Sequence, residues 1–329
     1  MSLYPEIEPY KSGIFEPGDG NNLLYWEECG NAEGKPAVVL HGGPGSGCTP
    51  WWRRLFDPHA YRIILFDQRN CGRSKPNASD PKTDLTNNNT VNLISDIETL
   101  RKFVGVDQWL VIGASWGSTL ALAYSETYPE RVTDAVLFGV STGTRKEFDW
   151  LFRGGAAIFF PEQWERLKSH VSPRLRDIDI VEAYSQMLND PDADVRQKAA
   201  AAWCEWESAT PGWPSTNKIQ TRFTDPSFAL AFARLVTHYV SHNAWLEDGI
   251  LLRNIGTISK LPGFPIQGRF DFQSPLERTW SMIARMDRAV QVIFQVKLHI
   301  VLNTFTSYRK VDRRGFEPLT SRVLGRNRN

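Results

Sequence analysis

Trp109-Leu110-Val111-Ile112-Gly113-Ala114-Ser115-Trp116-Gly117-Ser118-Thr119-Leu120-Ala121-Leu122 joins a short apolar run to Gly-x-Ser-x-Gly and then to a run of helix formers. That order predicts a strand, a sharp turn and a helix. A serine on such a turn projects its hydroxyl above the sheet. Small residues two before and two after it let strand and helix approach closely. The helix N-terminus also lends positive dipole to an oxyanion developing beside the serine. Gly-x-Ser-x-Gly arises by chance in many chains, but here both flanks supply its required context. Ser115 is therefore the candidate nucleophile.

Upstream, the apolar run 37–40 leads into His41-Gly42-Gly43-Pro44-Gly45. A strand followed by His-Gly-Gly is where a second oxyanion donor is expected. We assign the backbone N–H groups of Gly43 and Trp116 as the two donors. Losing one such donor costs about 2.7–4 kcal/mol of transition-state stabilisation. A phosphate-cradling loop would instead need Gly-Lys-Ser/Thr or Gly-x-Gly-x-x-Gly, and neither is present. His41 reads as a structural residue of the loop.

Further short apolar runs at 62–66, 109–112, 135–139 and 265–267 have the composition of buried strands of a parallel sheet. Helical spacing recurs at 92–103 and 118–128. Strands alternating with helices imply a mostly parallel, doubly wound α/β sheet. From about 144 to 247 the strand-like runs stop. The segments 181–188, 194–207 and 228–240 read as helices, amid Trp150, Trp164, Trp203, Trp206 and Trp213. The expected organisation is an α/β core over 1–143 and 248–302, an inserted helical cap over 144–247, and an atypical tail over 303–329.

Of the 329 residues, 41% are apolar and 23% charged, and the net charge is +1. That balance gives no reason to expect a nucleic-acid or membrane partner. The N-terminus has no basic region followed by an apolar run, and no 18-residue apolar stretch occurs. Cys29, Cys48, Cys71 and Cys204 form no C-x-x-C pair and no disulfide framework, so reduced thiols in a cytoplasmic protein are expected. No Cys/His cluster has metal-ligand spacing. Residues 281–329 hold ten Lys/Arg against three Asp/Glu, scattered and without interleaved aromatics. This reads as an atypical end rather than a nucleic-acid arm.

Three blocks together, His41–Gly45, Asp67-Gln68-Arg69-Asn70-Cys71-Gly72-Arg73-Ser74 and Gly113–Leu122, resemble the proline iminopeptidases. Leu-Phe-Arg-Gly-Gly-Ala-Ala-Ile-Phe-Phe-Pro at 151–161 and Gly268-Arg269-Phe270-Asp271 fit as well. The resemblance covers roughly residues 5–280. It implies an α/β-hydrolase fold with a helical cap, no cofactor, and release of N-terminal proline from peptides by Ser, Asp and His in that chain order. Asp271, after the run at 265–267, is then the expected acid, and Asp67 belongs to the structural block. Glu207, in Trp206-Glu207, matches a family glutamate that holds the substrate's free amine. The family's second glutamate falls at Val236, a departure for which Glu247 is the substitute considered. The base must follow Asp271, and His299 alone does so, 28 residues later, after a strand-like run at 290–295.

The surroundings of His299 depart from the family. Val296-Lys297-Leu298-His299-Ile300-Val301-Leu302 reads as a continuing strand, and residues 303–329 match no family feature. Val236 leaves open an esterase or amidase of different specificity, and the C-terminal stretch leaves open a catalytically impaired member. Oligomeric state is not legible in the sequence.

Overall fold

The computed structural model describes residues 3–210, 219–287 and 292–294. Its sheet contains β1 (Lys11–Phe15), β2 (Leu24–Gly30), β3 (Lys35–Leu40), β4 (Tyr61–Phe66), β5 (Trp109–Ala114), β6 (Val132–Phe138), β7 (Gly263–Gly268) and β8 (Val292–Phe294). The spatial order is β1-β2-β4-β3-β5-β6-β7-β8. β1 and β2 run antiparallel to each other, and β2 runs antiparallel to β4. From β4 to β8 every pairing is parallel, with Val38 set between Ile64 and Val111.

The apolar runs are continuous because both faces of the sheet are covered. Val38, Leu40, Ile64, Phe66, Trp109 and Val111 pack against α1 (Thr90–Phe103) and α2 (Trp116–Thr127) on one side. Their neighbours Ala37, Val39, Ile63, Leu65, Leu110 and Ile112 pack with Trp52, Leu55 and Phe56 on the other. The two clusters alternate residue by residue, as the pleat requires.

A second helical layer comprises α3 (Arg145–Phe152), α4 (Pro161–Ser169), α5 (Ile180–Leu188), α6 (Ala193–Ala209) and α7 (Pro226–Ser241). Local signals start these helices. Thr144 and Glu147 form a capping box on α3, and Asp179, Asp192 and Asp225 accept N-terminal N–H groups of α5, α6 and α7. The layer has its own core around Trp203, Trp206, Tyr184, Leu167 and Phe232, with Phe152 stacked on Trp203 at 5.4 Å. Buried Arg234 of α7 ties the layer to the loop after β4. It donates to the carbonyls of Ala78 (2.6 Å), Asp80 (2.7 Å) and Thr83 (3.2 Å) and to the Asn189 side chain (3.0 Å). The chain then returns to the sheet through α8 (Ile250–Asn254) and leaves β7 into α9 (Leu276–Ile283). Among the described residues no helix is long and apolar enough to cross a membrane.

Candidate active site

The turn between β5 and α2 holds Ser115 at φ 53°, ψ −124°. A non-glycine residue in that region stores about 1–3 kcal/mol and persists only where its surroundings impose it. Here the surroundings do so. A Cβ on Gly113 would lie 2.1 Å from the Gly117 carbonyl oxygen, and one on Gly117 would lie 2.0 Å from the Leu40 carbonyl oxygen. Only glycine permits β5, α2 and the end of β3 to meet this closely. The Ser115 N–H donates to the Phe138 carbonyl (2.9 Å), and its carbonyl accepts from Ser118 N–H (2.8 Å) and Oγ (2.6 Å).

The loop after β3 is held against this turn by Gln68. Its backbone N–H donates to His41 Nε2 (3.0 Å), its Nε2 to the His41 carbonyl (2.9 Å), and its Oε1 accepts from Trp116 Nε1 (3.1 Å). Because Nε2 of His41 accepts, the ring proton sits on Nδ1, where it donates to the Gly42 carbonyl (3.0 Å). Burial pushes the His41 pKa down, so this imidazole is a neutral strut. Gly43, at φ 118°, lies where a Cβ would meet the Gly45 nitrogen at 2.5 Å.

The rest of Asp67–Ser74 is scaffold. Asp67 accepts from Cys48 N–H (2.7 Å), Arg73 N–H (2.8 Å) and Arg73 Nε (2.7 Å). Arg69 grips Asp96 through two bonds of 2.6 and 2.7 Å. A Cβ on Gly72 would strike Asp67 Oδ2 at 2.4 Å.

Asp271 follows the end of β7, beside the end of β6. Its Oδ1 accepts from the N–H groups of Gln273 (3.1 Å) and Ser274 (2.9 Å), and its Oδ2 accepts from Gln267 Nε2 (3.0 Å). Gln267 is fixed in turn by donors from Val140 N–H (2.7 Å) and Thr279 Oγ1 (2.9 Å). Burial pushes the Asp271 pKa up to about 6, against the pull of these three donors. Gly139 leaves room here: a Cβ on it would stand 3.3 Å from Asp271 Oδ2.

One cavity of about 600 Å³, counted with its open mouth, is lined by Gly43, Ser115, Trp116, Glu207, Gln273 and Phe148 among others. The sheet contributes the serine turn and the His-Gly-Gly loop. The helical layer contributes α3, α6 and α7. Glu207 is buried, and burial pushes its carboxyl up to about 7, with Arg222 and a hydrogen bond from Gln273 pulling it down. Among the described residues no cation lies within ion-pair distance of Glu207.

The other expected residues lie elsewhere. Val236 is buried in the core of the helical layer. Glu247 is on the surface, paired with Arg253 at 2.6 Å. His299 and the tail 303–329 fall outside the described residues, as does Trp213. Among the described residues no histidine hydrogen-bonds to Ser115. His170, His238 and His242 each turn a ring nitrogen to a backbone carbonyl instead.

Two cavity residues escaped sequence reasoning. Glu147 accepts from the N–H and hydroxyl groups of both Thr142 and Thr144, at 2.8–2.9 Å. The spacing Thr144-x-x-Glu147 is a capping-box signal that could have located it. Gln273 had no such signal.

The model of the α/β hydrolase fold family matches residues 35–190. A relative from Streptomyces coelicolor named "Probable proline iminopeptidase" is 48% identical over 286 residues, 86% of this chain and 87% of its own. A proline iminopeptidase from Xylella fastidiosa strain 9a5c is 44% identical over 282 residues, 85% of this chain and 88% of its own. The crystal structure of a proline iminopeptidase from Mycobacterium smegmatis aligns with a TM-score of 0.56 and 15% identity, covering 86% of this chain and 90% of that one. That likeness bears on the fold alone.

Proposed function

Since the chain belongs to the proline iminopeptidase family of α/β-hydrolases, we propose that it is a serine aminopeptidase that releases N-terminal proline from peptides. The observation that carries this reading is the shared cavity. A strained serine and a buried carboxylate that forms no ion pair among the described residues open into one space. A peptide entering amino end first would bring a cation into direct contact with Glu207, which Arg222 influences without forming an ion pair.

In the proposed reaction Ser115 Oγ attacks the carbonyl of the terminal residue. His299 takes the serine proton and returns it to the leaving amine, and Asp271 orients the imidazole. The N–H groups of Gly43 and Trp116 receive the negative oxygen of the tetrahedral intermediate. Water then cleaves the acyl-enzyme, with the same base activating it. Asp271 is suited to orient a base because three donors fix its carboxylate at the end of β7. For His299, support comes from chain order and from β8, which pairs in parallel with β7 at Gly268↔Phe294, five residues before the histidine. The helical layer over residues 144–247 acts as the cap that encloses the substrate. The four free thiols support a cytoplasmic setting.

A second reading, an esterase or amidase of other specificity, is favoured by Val236, whose apolar side chain offers an amine nothing. Turnover of L-prolyl-p-nitroanilide against its N-acetyl derivative and against p-nitrophenyl esters separates the two. The peptidase reading expects strong preference for the free N-terminal proline. Equal turnover of the acetylated substrate, or hydrolysis of the esters only, overturns it.

A further inference from the structure

Gln273 carries an inference beyond the expected site residues. Its Nε2 lies 3.1 Å from the Glu207 carbonyl oxygen, 3.1 Å from Glu207 Oε2 and 3.0 Å from Thr210 Oγ1. The Thr210 hydroxyl proton is directed to the Trp206 carbonyl at 3.2 Å, so Thr210 accepts from Gln273. A carbonyl, a carboxylate and an accepting hydroxyl all face one end of the amide. Only the NH₂ end can face them, which fixes the amide orientation. The backbone of Gln273 is fixed too, because its N–H donates to Asp271 Oδ1. The amide therefore joins the turn of the expected acid to α6 of the helical layer.

Its other end has no partner among the described residues. Gln273 lines the cavity together with Ser115 and Glu207, and among the described residues its Oε1 accepts no hydrogen bond. Oε1 cannot turn away, because the NH₂ group is held on the opposite side. Glu207 meanwhile has one oxygen engaged by Gln273 and the other without a bond among the described residues.

We propose that Gln273 is a specificity-determining residue whose side-chain oxygen, with the Glu207 carboxylate, forms a two-acceptor seat for the substrate's terminal ammonium. This rests on the reading of Glu207 as the amine anchor. The ammonium of an N-terminal proline is secondary and carries two N–H groups, so one bond runs to Glu207 and one to Gln273. Gln273 has a second effect through its side-chain NH₂ group, which holds Glu207 in place and favours its charged form.

The test measures binding, so it does not depend on turnover. The full chain carrying Ser115→Ala is titrated calorimetrically with L-prolinamide and with N-acetyl-L-prolinamide. We expect the free amine to bind and the acetylated one to bind far more weakly. Adding Gln273→Met, which keeps the length and removes both polar ends, should weaken prolinamide binding about tenfold or more, the worth of one hydrogen bond to a charged group. N-methyl-L-prolinamide, whose ammonium keeps its charge but has a single N–H, should bind the Ser115→Ala parent about tenfold more weakly than L-prolinamide. Undiminished binding by a folded Gln273→Met variant overturns the proposal and leaves Glu207 standing as anchor. If Gln273→Met does not fold, equal binding of L-prolinamide and N-methyl-L-prolinamide by the parent overturns it instead. A parent that binds both ligands alike sinks the Glu207 reading and this proposal together.

Discussion

Replacing Glu207 by glutamine should stabilise the fold while impairing its recognition of amines. Burial raises the Glu207 carboxyl from an ordinary 4.5 to about 7. Between those values the folded chain keeps a proton that the unfolded chain has released. Unfolding free energy therefore falls as pH rises from 4.5 through 7, and the loss is complete above that window. A shift of this size corresponds to about 3 kcal/mol at most. The substituted glutamine is neutral at every pH and can still accept the Gln273 amide, so the variant escapes this loss. Asp271 also titrates abnormally in the acid range, but it is common to both proteins and cancels in their difference. The assay is urea denaturation of the chain and of Glu207→Gln from pH 4 to pH 9. The stability difference should be near zero at the acid end and grow to about 2–3 kcal/mol in favour of the variant by pH 8. The same variant should lose its preference for a free over an acetylated N-terminal proline. A stability difference that is flat with pH would refute the argument, since it would mean that Glu207 is not held near neutrality by burial.

Ser115→Gly should remove all turnover and raise stability by about 1–3 kcal/mol, because glycine adopts the observed backbone without the strain serine bears; denaturant midpoints check this. Gly117→Ala would gain about 1 kcal/mol in an ordinary helix, but here the new Cβ meets the Leu40 carbonyl oxygen at 2.0 Å. We expect a loss of about 1–3 kcal/mol in chemical denaturation and a large fall in kcat as the serine turn shifts. Asp271→Asn should lower kcat by about 10⁴-fold with little change in circular dichroism, because an amide must turn an NH₂ group toward donors from Gln267, Gln273 or Ser274.

The sheet was legible wherever strands are buried on both faces, since Val38–Leu40, Ile63–Phe66 and Trp109–Ile112 can only be apolar there. β1 and β2 were not legible. Lys11–Phe15 is a mostly exposed edge strand, so its composition carries no signal. Leu24–Gly30 holds two buried glutamates, Glu27 bound by Arg53 and Arg73 and Glu28 bound by Arg62. Charges buried in pairs hide a strand from any hydropathy pattern, because their partners come from 26 to 46 residues away. The serine turn and the His-Gly-Gly loop could be read because close backbone approach demands glycine at fixed spacing. Gln68 and Gln273 could not, because their roles lie in hydrogen bonds between segments distant in sequence. The run at 290–295 read as strand-like, and Val292–Phe294 within it pairs with β7; Val236 became intelligible only as part of the helical core.

The central claim is that Ser115 is an activated nucleophile in a cavity that recognises a free amine. Intact-protein mass spectrometry after exposure to a fluorophosphonate tests this most directly. A single adduct is expected, mapped to the peptide containing Ser115, absent in Ser115→Ala and slowed by L-prolinamide. A folded protein that gains no adduct, or gains one elsewhere, would contradict it.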